Sequence, residues 1–142
     1  LDIVIASPHA ALKQEGENAT NRLIKAIENP YVHIIGHPTG RLIKKRIGLE
    51  PDMIKIFDAA TKNNTALELN AHSMRLDLRD FHVKSAILKG VKIAINTDAH
   101  RPDDFNQLKY GIATARRGWL SPKNCINCLT INQLNQWLNE KR

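Results

Sequence analysis

Four short runs rich in β-branched and aliphatic residues, at residues 2–6, 32–35, 66–70 and 92–96, begin about 30 residues apart, with helical patterns filling the gaps. A strand with its returning helix needs roughly this length, so the spacing predicts parallel strands with helices outside them. Residues 17–28 carry Ala19, Leu23, Ile24 and Ile27 on one stripe, and residues 51–62 place Ile54 and Phe57 on adjacent faces. Val83, Ala86 and Ile87 fall together in residues 80–88 before Gly90, and residues 105–116 form a further helical pattern. Thr130 and Gln133 form a capping box that opens the last helix, whose buried stripe is Ile131, Leu134, Trp137 and Leu138.

Two architectures accommodate this order, an open doubly wound sheet and a (β/α) barrel. A closed barrel takes roughly 200–250 residues, and the chain has 142 with four or five βα units. The expectation is therefore a partial, distorted (β/α) barrel, residues 1–142 being the C-terminal portion of one domain without an internal boundary. A small complete open sheet is the alternative. With 42% hydrophobic and 25% charged residues the chain supports an ordinary core, and disorder does not fit. No apolar run approaches the ~20 residues of a membrane-spanning helix, so no membrane partner is expected. Cys125-x-x-Cys128 lacks the second ligand pair of a structural zinc site and reads as two packing cysteines in a reducing, cytoplasmic setting.

Chemistry-bearing residues gather where the predicted strands end: Ser7-Pro8-His9, Gly36-His37-Pro38, Asn70-Ala71-His72 and Asn96-Thr97-Asp98-Ala99-His100. In parallel α/β folds the carboxyl ends of strands share one face, so these residues can converge on a ligand. Asp98 and His100, two apart on an extended segment, are expected to point the same way. Imidazoles with a carboxylate suit Zn, Mn or Fe, and a metal site with open positions can activate water for hydrolysis. His9, His37, Asp98 and His100 are accordingly the candidate metal-ligating and catalytic residues. His33, inside a strand, and His82, on a helix, read as structural, and His72 is intermediate.

The segments His37-Pro38-Thr39-Gly40-Arg41-Leu42, Ala66-Leu67-Glu68-Leu69-Asn70, Ile95-Asn96-Thr97-Asp98-Ala99-His100 and Ala115-Arg116-Arg117-Gly118-Trp119-Leu120 resemble the PHP (polymerase and histidinol phosphatase) domain. The similarity is closest to the PHP domain of bacterial and archaeal family X DNA polymerases and runs over essentially the whole chain. It implies a distorted barrel with phosphoesterase chemistry and up to three divalent metals at the carboxyl ends of its strands. His9 matches the histidine of a Ser-x-His element and His37 that of Gly-His-Pro. Asp98 matches an aspartate that joins an upstream His-x-His pair on one metal, and His100 a ligand to another. The His-x-His strand and the bridging glutamate of the longer pattern are not in this sequence.

The net charge of +7 favours anionic partners, here DNA or another phosphate ester. Arg41, Lys44, Lys45 and Arg46 follow the His37 strand end and are candidates to neutralise a phosphodiester backbone, with Arg75 and Arg79 as weaker ones. Arg116 and Arg117 end a predicted helix and read as structural. The expected function is a metal-dependent 3′–5′ exonuclease or 3′-end processing activity beside polymerase domains in the same chain. A small-molecule phosphatase such as a histidinol phosphatase, and a non-catalytic module supporting a polymerase, are the alternatives.

Overall fold

The computed structural model describes residues 1–141; Arg142, the last residue of the expected domain, lies outside them. Four parallel strands, β1 (Ile5–Ala6), β2 (Ile34–Ile35), β3 (Ala66–Asn70) and β4 (Ile93–Asn96), form one sheet in the order β1-β2-β3-β4. A doubly wound sheet reverses its strand order at a switch point, whereas this one proceeds from neighbour to neighbour as a barrel wall does. The chain is thus α/β, with the architecture of a partial barrel.

Five α-helices accompany the sheet among the described residues: α1 (Gly16–Ile27), α2 (Met53–Lys62), α3 (Asp80–Leu88), α4 (Leu108–Arg117) and α5 (Ile131–Asn139). Strand alternation divides the core in two. Ile35, Leu67, Leu69 and Ile93 pack on one face against Leu23 and Ile27 of α1, Ile56 and Phe57 of α2, and Val83 and Ala86 of α3. Ile34, Ala66 and Ala94 face the other way and are covered by Ile126 with Trp137 and Leu138 of α5. The capping box of α5 forms as expected, with the Thr130 side chain accepting from the Gln133 amide.

Three boundaries depart from the sequence reading. β1 and β2 are two residues each because the Val4 carbonyl accepts from both His33 and Ile34, while the Val4 amide is taken by the His33 ring at 3.2 Å. A side chain thus replaces a rung of the ladder and ends the pairing. The helix expected over 105–116 begins at Leu108, after a 3₁₀ segment, Pro102–Gln107, whose opening proline fixes the backbone. Cys125 is buried but Cys128, at the end of a 3₁₀ turn, is exposed, so only one of the two cysteines packs; both are free thiols.

The open β4 edge is protected locally. The Asn127 side chain accepts from the Ile95 amide at 2.7 Å and donates to the Ile95 carbonyl at 3.0 Å, standing in for a neighbouring strand. No helix among the described residues is long and apolar enough to cross a membrane.

Candidate metal centre

Because the strands are parallel, His9, His37, Asp98 and His100 all follow carboxyl ends of strands and lie at the same edge of the sheet. The structure pairs the first two. His9 Nε2 and His37 Nε2 are 3.3 Å apart, with the rings stacked at 5.2 Å between centroids. Two imidazole nitrogens, each about 2.0–2.1 Å from one tetrahedral ion, would be separated by about 3.3 Å. The donor type and the spacing of this pair therefore fit two ligands of a single divalent transition metal. Burial, and next the nearby Arg75 guanidinium, lower the His37 pKa to about 4, which keeps its ring neutral as ligation requires. His37 Nδ1 is buried and has no hydrogen-bond partner.

Asp98 is turned onto Arg75, its Oδ2 lying 3.4 Å from Arg75 Nε. His100 Nδ1 is 2.7 Å from the Asp98 carbonyl, an arrangement in which that nitrogen donates and leaves Nε2 as the acceptor. The His100 amide donates to Asp104 at 2.9 Å, holding the residue in its own loop. The expected period-2 alignment of Asp98 with His100 does not occur, because β4 stops at Asn96 and Asp98 takes a left-handed backbone, φ 55°. His37 is also left-handed, φ 29°. Two non-glycine residues of this kind at one edge of the sheet require support from their surroundings. Among the described residues, no three His, Cys, Asp or Glu side chains gather closely enough to hold an ion by themselves.

Glu68 provides the support at His37, and the sequence reading overlooked it. It lies 5% exposed in the middle of β3. Its Oε2 accepts from the His37 amide at 2.6 Å and from Asn70 Nδ2 at 3.3 Å, and its Oε1 accepts from Asn96 Nδ2 at 2.9 Å. Burial raises the Glu68 pKa, and these hydrogen bonds work against the rise. The signal was present in Glu68-x-Asn70, two polar residues on one face of a strand buried at all five positions, with Asn96 in register opposite Asn70.

The other histidines have local tasks. His33 is buried and holds Val4, His72 Nδ1 accepts from the Met74 amide at 3.2 Å, and His82 sits edge-on to Phe57 and Phe81. The basic residues divide in the same way. Arg41 donates from Nε to the Arg75 carbonyl at 2.6 Å and from Nη2 to that of Leu76, and Arg46 donates twice to the Gly40 carbonyl. Both guanidiniums therefore brace the loop after β2. Lys44 and Lys45 remain exposed at its tip. Arg117 pairs with Asp80 at 2.9 Å, tying the end of α4 to the start of α3.

No family profile matches the chain. Individual relatives do. The chain is 44% identical over 138 residues to the DNA polymerase/3′-5′ exonuclease PolX of Bacillus subtilis (strain 168), a match covering 97% of this chain and 24% of that protein. This identity is consistent with the PHP-type domain that the sequence resembles. It is also 30% identical over 151 residues to a probable phosphatase of Caldanaerobacter subterraneus subsp. tengcongensis, across 100% of this chain and 57% of the relative. A probable phosphatase of Caldicellulosiruptor bescii is 36% identical over 114 residues, 75% of this chain and 45% of that protein. The chain thus spans about a quarter of the PolX relative and about half of these phosphatases.

Proposed function

We propose that this chain is the C-terminal portion of a PHP metallophosphoesterase domain that removes or trims 3′ ends of DNA as a 3′–5′ exonuclease beside family X polymerase domains, in the cytoplasm. The observation that carries the reading is the His9–His37 nitrogen pair at the carboxyl edge of a parallel sheet, in a chain 44% identical to a PolX exonuclease. His9, His37, Asp98 and His100 would hold divalent ions, Zn, Mn or Fe, up to three with ligands from outside this chain. When bound, such ions activate water and neutralise phosphate oxygens.

The chain's own residues do the positioning. Glu68 fixes the His37 backbone, and the Asp98 backbone carbonyl orients the His100 ring. Arg75 pairs with the carboxylate of Asp98 and its charge acts on the His37 ring, so an incoming phosphate at this edge would meet a cation. The deciding assay gives the full-length protein Mn and compares single-stranded or nicked DNA with histidinol phosphate. Preferred hydrolysis of DNA is expected; preferred hydrolysis of the small ester would assign the phosphatase alternative.

Lys44 and Lys45 are the residues proposed to meet the phosphodiester backbone. The double substitution Lys44→Ala/Lys45→Ala should flatten the salt dependence of DNA binding by about one unit of slope per lost contact and leave small-ester hydrolysis unchanged. An unchanged salt slope would remove them from the interface.

A further inference from the structure

Beyond the metal centre, the loop after β2 and the first turns of α2 and α3 enclose a cavity of about 190 Å³ whose lining includes Thr39, Ile47, Met53, Arg79, Phe81 and His82. It opens beside a second cavity lined by Lys44 and Lys45, and the two share Ile47 and Arg79. Thr39 is two residues beyond His37, so the pocket starts where the metal-site loop leaves the sheet. Phe81 is 53% exposed although it sits at the start of a helix that has its own buried stripe. The Arg79 guanidinium lies 5.8 Å from the Phe81 ring centroid and the His82 ring stands edge-on with its centroid 4.3 Å away, so an exposed aromatic ring and a cation lie together at the pocket. Glu50, also at the pocket, offers an acceptor.

We propose that this pocket takes one unstacked nucleobase of single-stranded DNA, with Phe81 and Arg79 as its stacking surface and Lys44 and Lys45 on the adjoining phosphates. The inference rests on the DNA-directed reading above and adds a base subsite to it. Drug-sized ligands fill about 300–1,000 Å³, so a cavity of about 190 Å³ has the scale of one ring system. A basic trough running into an aromatic pocket is the combination that single-stranded nucleic acid uses, since charge tracks the backbone and rings stack on bases. A phosphate alone would have no use for the exposed aromatic ring, and an apolar peptide none for the lysines. Base stacking on a protein aromatic contributes enough that its loss is expected to raise KM about 5- to 150-fold.

The test measures KM and kcat of the full-length protein with Mn on a short oligo(dT) and on the same oligonucleotide carrying an abasic residue at each of the terminal 3′ positions in turn. In the unaltered protein, one abasic position should raise KM by that factor with little change in kcat. Phe81→Ala should raise KM of the intact oligonucleotide to the abasic value and abolish the further penalty, and Phe81→Trp should restore discrimination. Equal KM for intact and abasic oligonucleotides in the unaltered protein, or an abasic penalty that survives in Phe81→Ala, would overturn the base site while leaving phosphodiester hydrolysis intact. If no oligonucleotide is hydrolysed, the DNA-directed reading fails. Photocrosslinking of a 5-iodouracil oligonucleotide then decides the pocket separately: attachment at Phe81 supports it and attachment elsewhere or nowhere overturns it.

Discussion

His37→Ala in the full-length protein is expected to release most of its divalent metal and to lower oligonucleotide hydrolysis by at least about 100-fold, because outer-shell losses alone cost about 10–100-fold and this change removes a ligand. The fold should survive. The His37 amide, not its ring, makes the bond to Glu68, and alanine keeps that amide; the buried ring nitrogen Nδ1 has no hydrogen bond to lose. Asp98→Asn should act similarly on turnover, since the amide keeps the shape but not the charge beside Arg75. Metal content by elemental analysis and turnover are measured on the same preparations. Full metal content in both variants would remove these residues from the ligand set. The pH dependence has a defined sign: the folded pKa of His37 is depressed to about 4, so its stabilising contribution is present above the ordinary value of 6.5 and is lost as pH falls through about 4.

Much of this site was legible because parallel strands convert sequence into position. Once four strands at this spacing are recognised, His9, His37, Asp98 and His100 must share an edge of the sheet, and they do. β3 was readable to the residue, since a strand buried on both faces leaves a continuous run bounded by polar residues. β1 and β2 were not, because the histidine that shortens them acts through its ring, and no local pattern distinguishes such a histidine from one that simply points inward. The pairing of Asp98 with Arg75 was hidden for a related reason. It depends on a left-handed residue just beyond β4, where alternation no longer describes the chain. Nor did composition separate Arg41 and Arg46 from Lys44 and Lys45. All four are basic and consecutive or nearly so, yet the two arginines reach carbonyls that only the folded loop brings within range, and their planar forks suit that task better than an ammonium.

The largest effect on stability should come from Glu68→Ala, which is expected to lower the unfolding free energy by about 2–5 kcal/mol. Three donors, the His37 amide and the side-chain amides of Asn70 and Asn96, converge on this carboxylate in a strand with no exposed position. Alanine leaves them without acceptors and opens a void between β2, β3 and β4, where water has poor access. Glu68→Gln should be much milder. A glutamine oxygen can replace Oε2 toward His37 and Asn70, and Asn96 can rotate its amide to present an oxygen to the glutamine nitrogen. The neutral side chain also avoids the cost of burying a charge, the effect that raises the Glu68 pKa. Urea unfolding with matched slopes distinguishes the two variants. A Glu68→Ala midpoint shift worth less than about 0.5 kcal/mol, the range of an ordinary surface change, would show that the network is not structural. With the predicted loss, His37 should also give up its left-handed backbone, because the 2.6 Å bond from its amide to Glu68 is what anchors it to the neighbouring strand. Metal retention in Glu68→Ala should then fall together with stability, whereas Glu68→Gln should keep both.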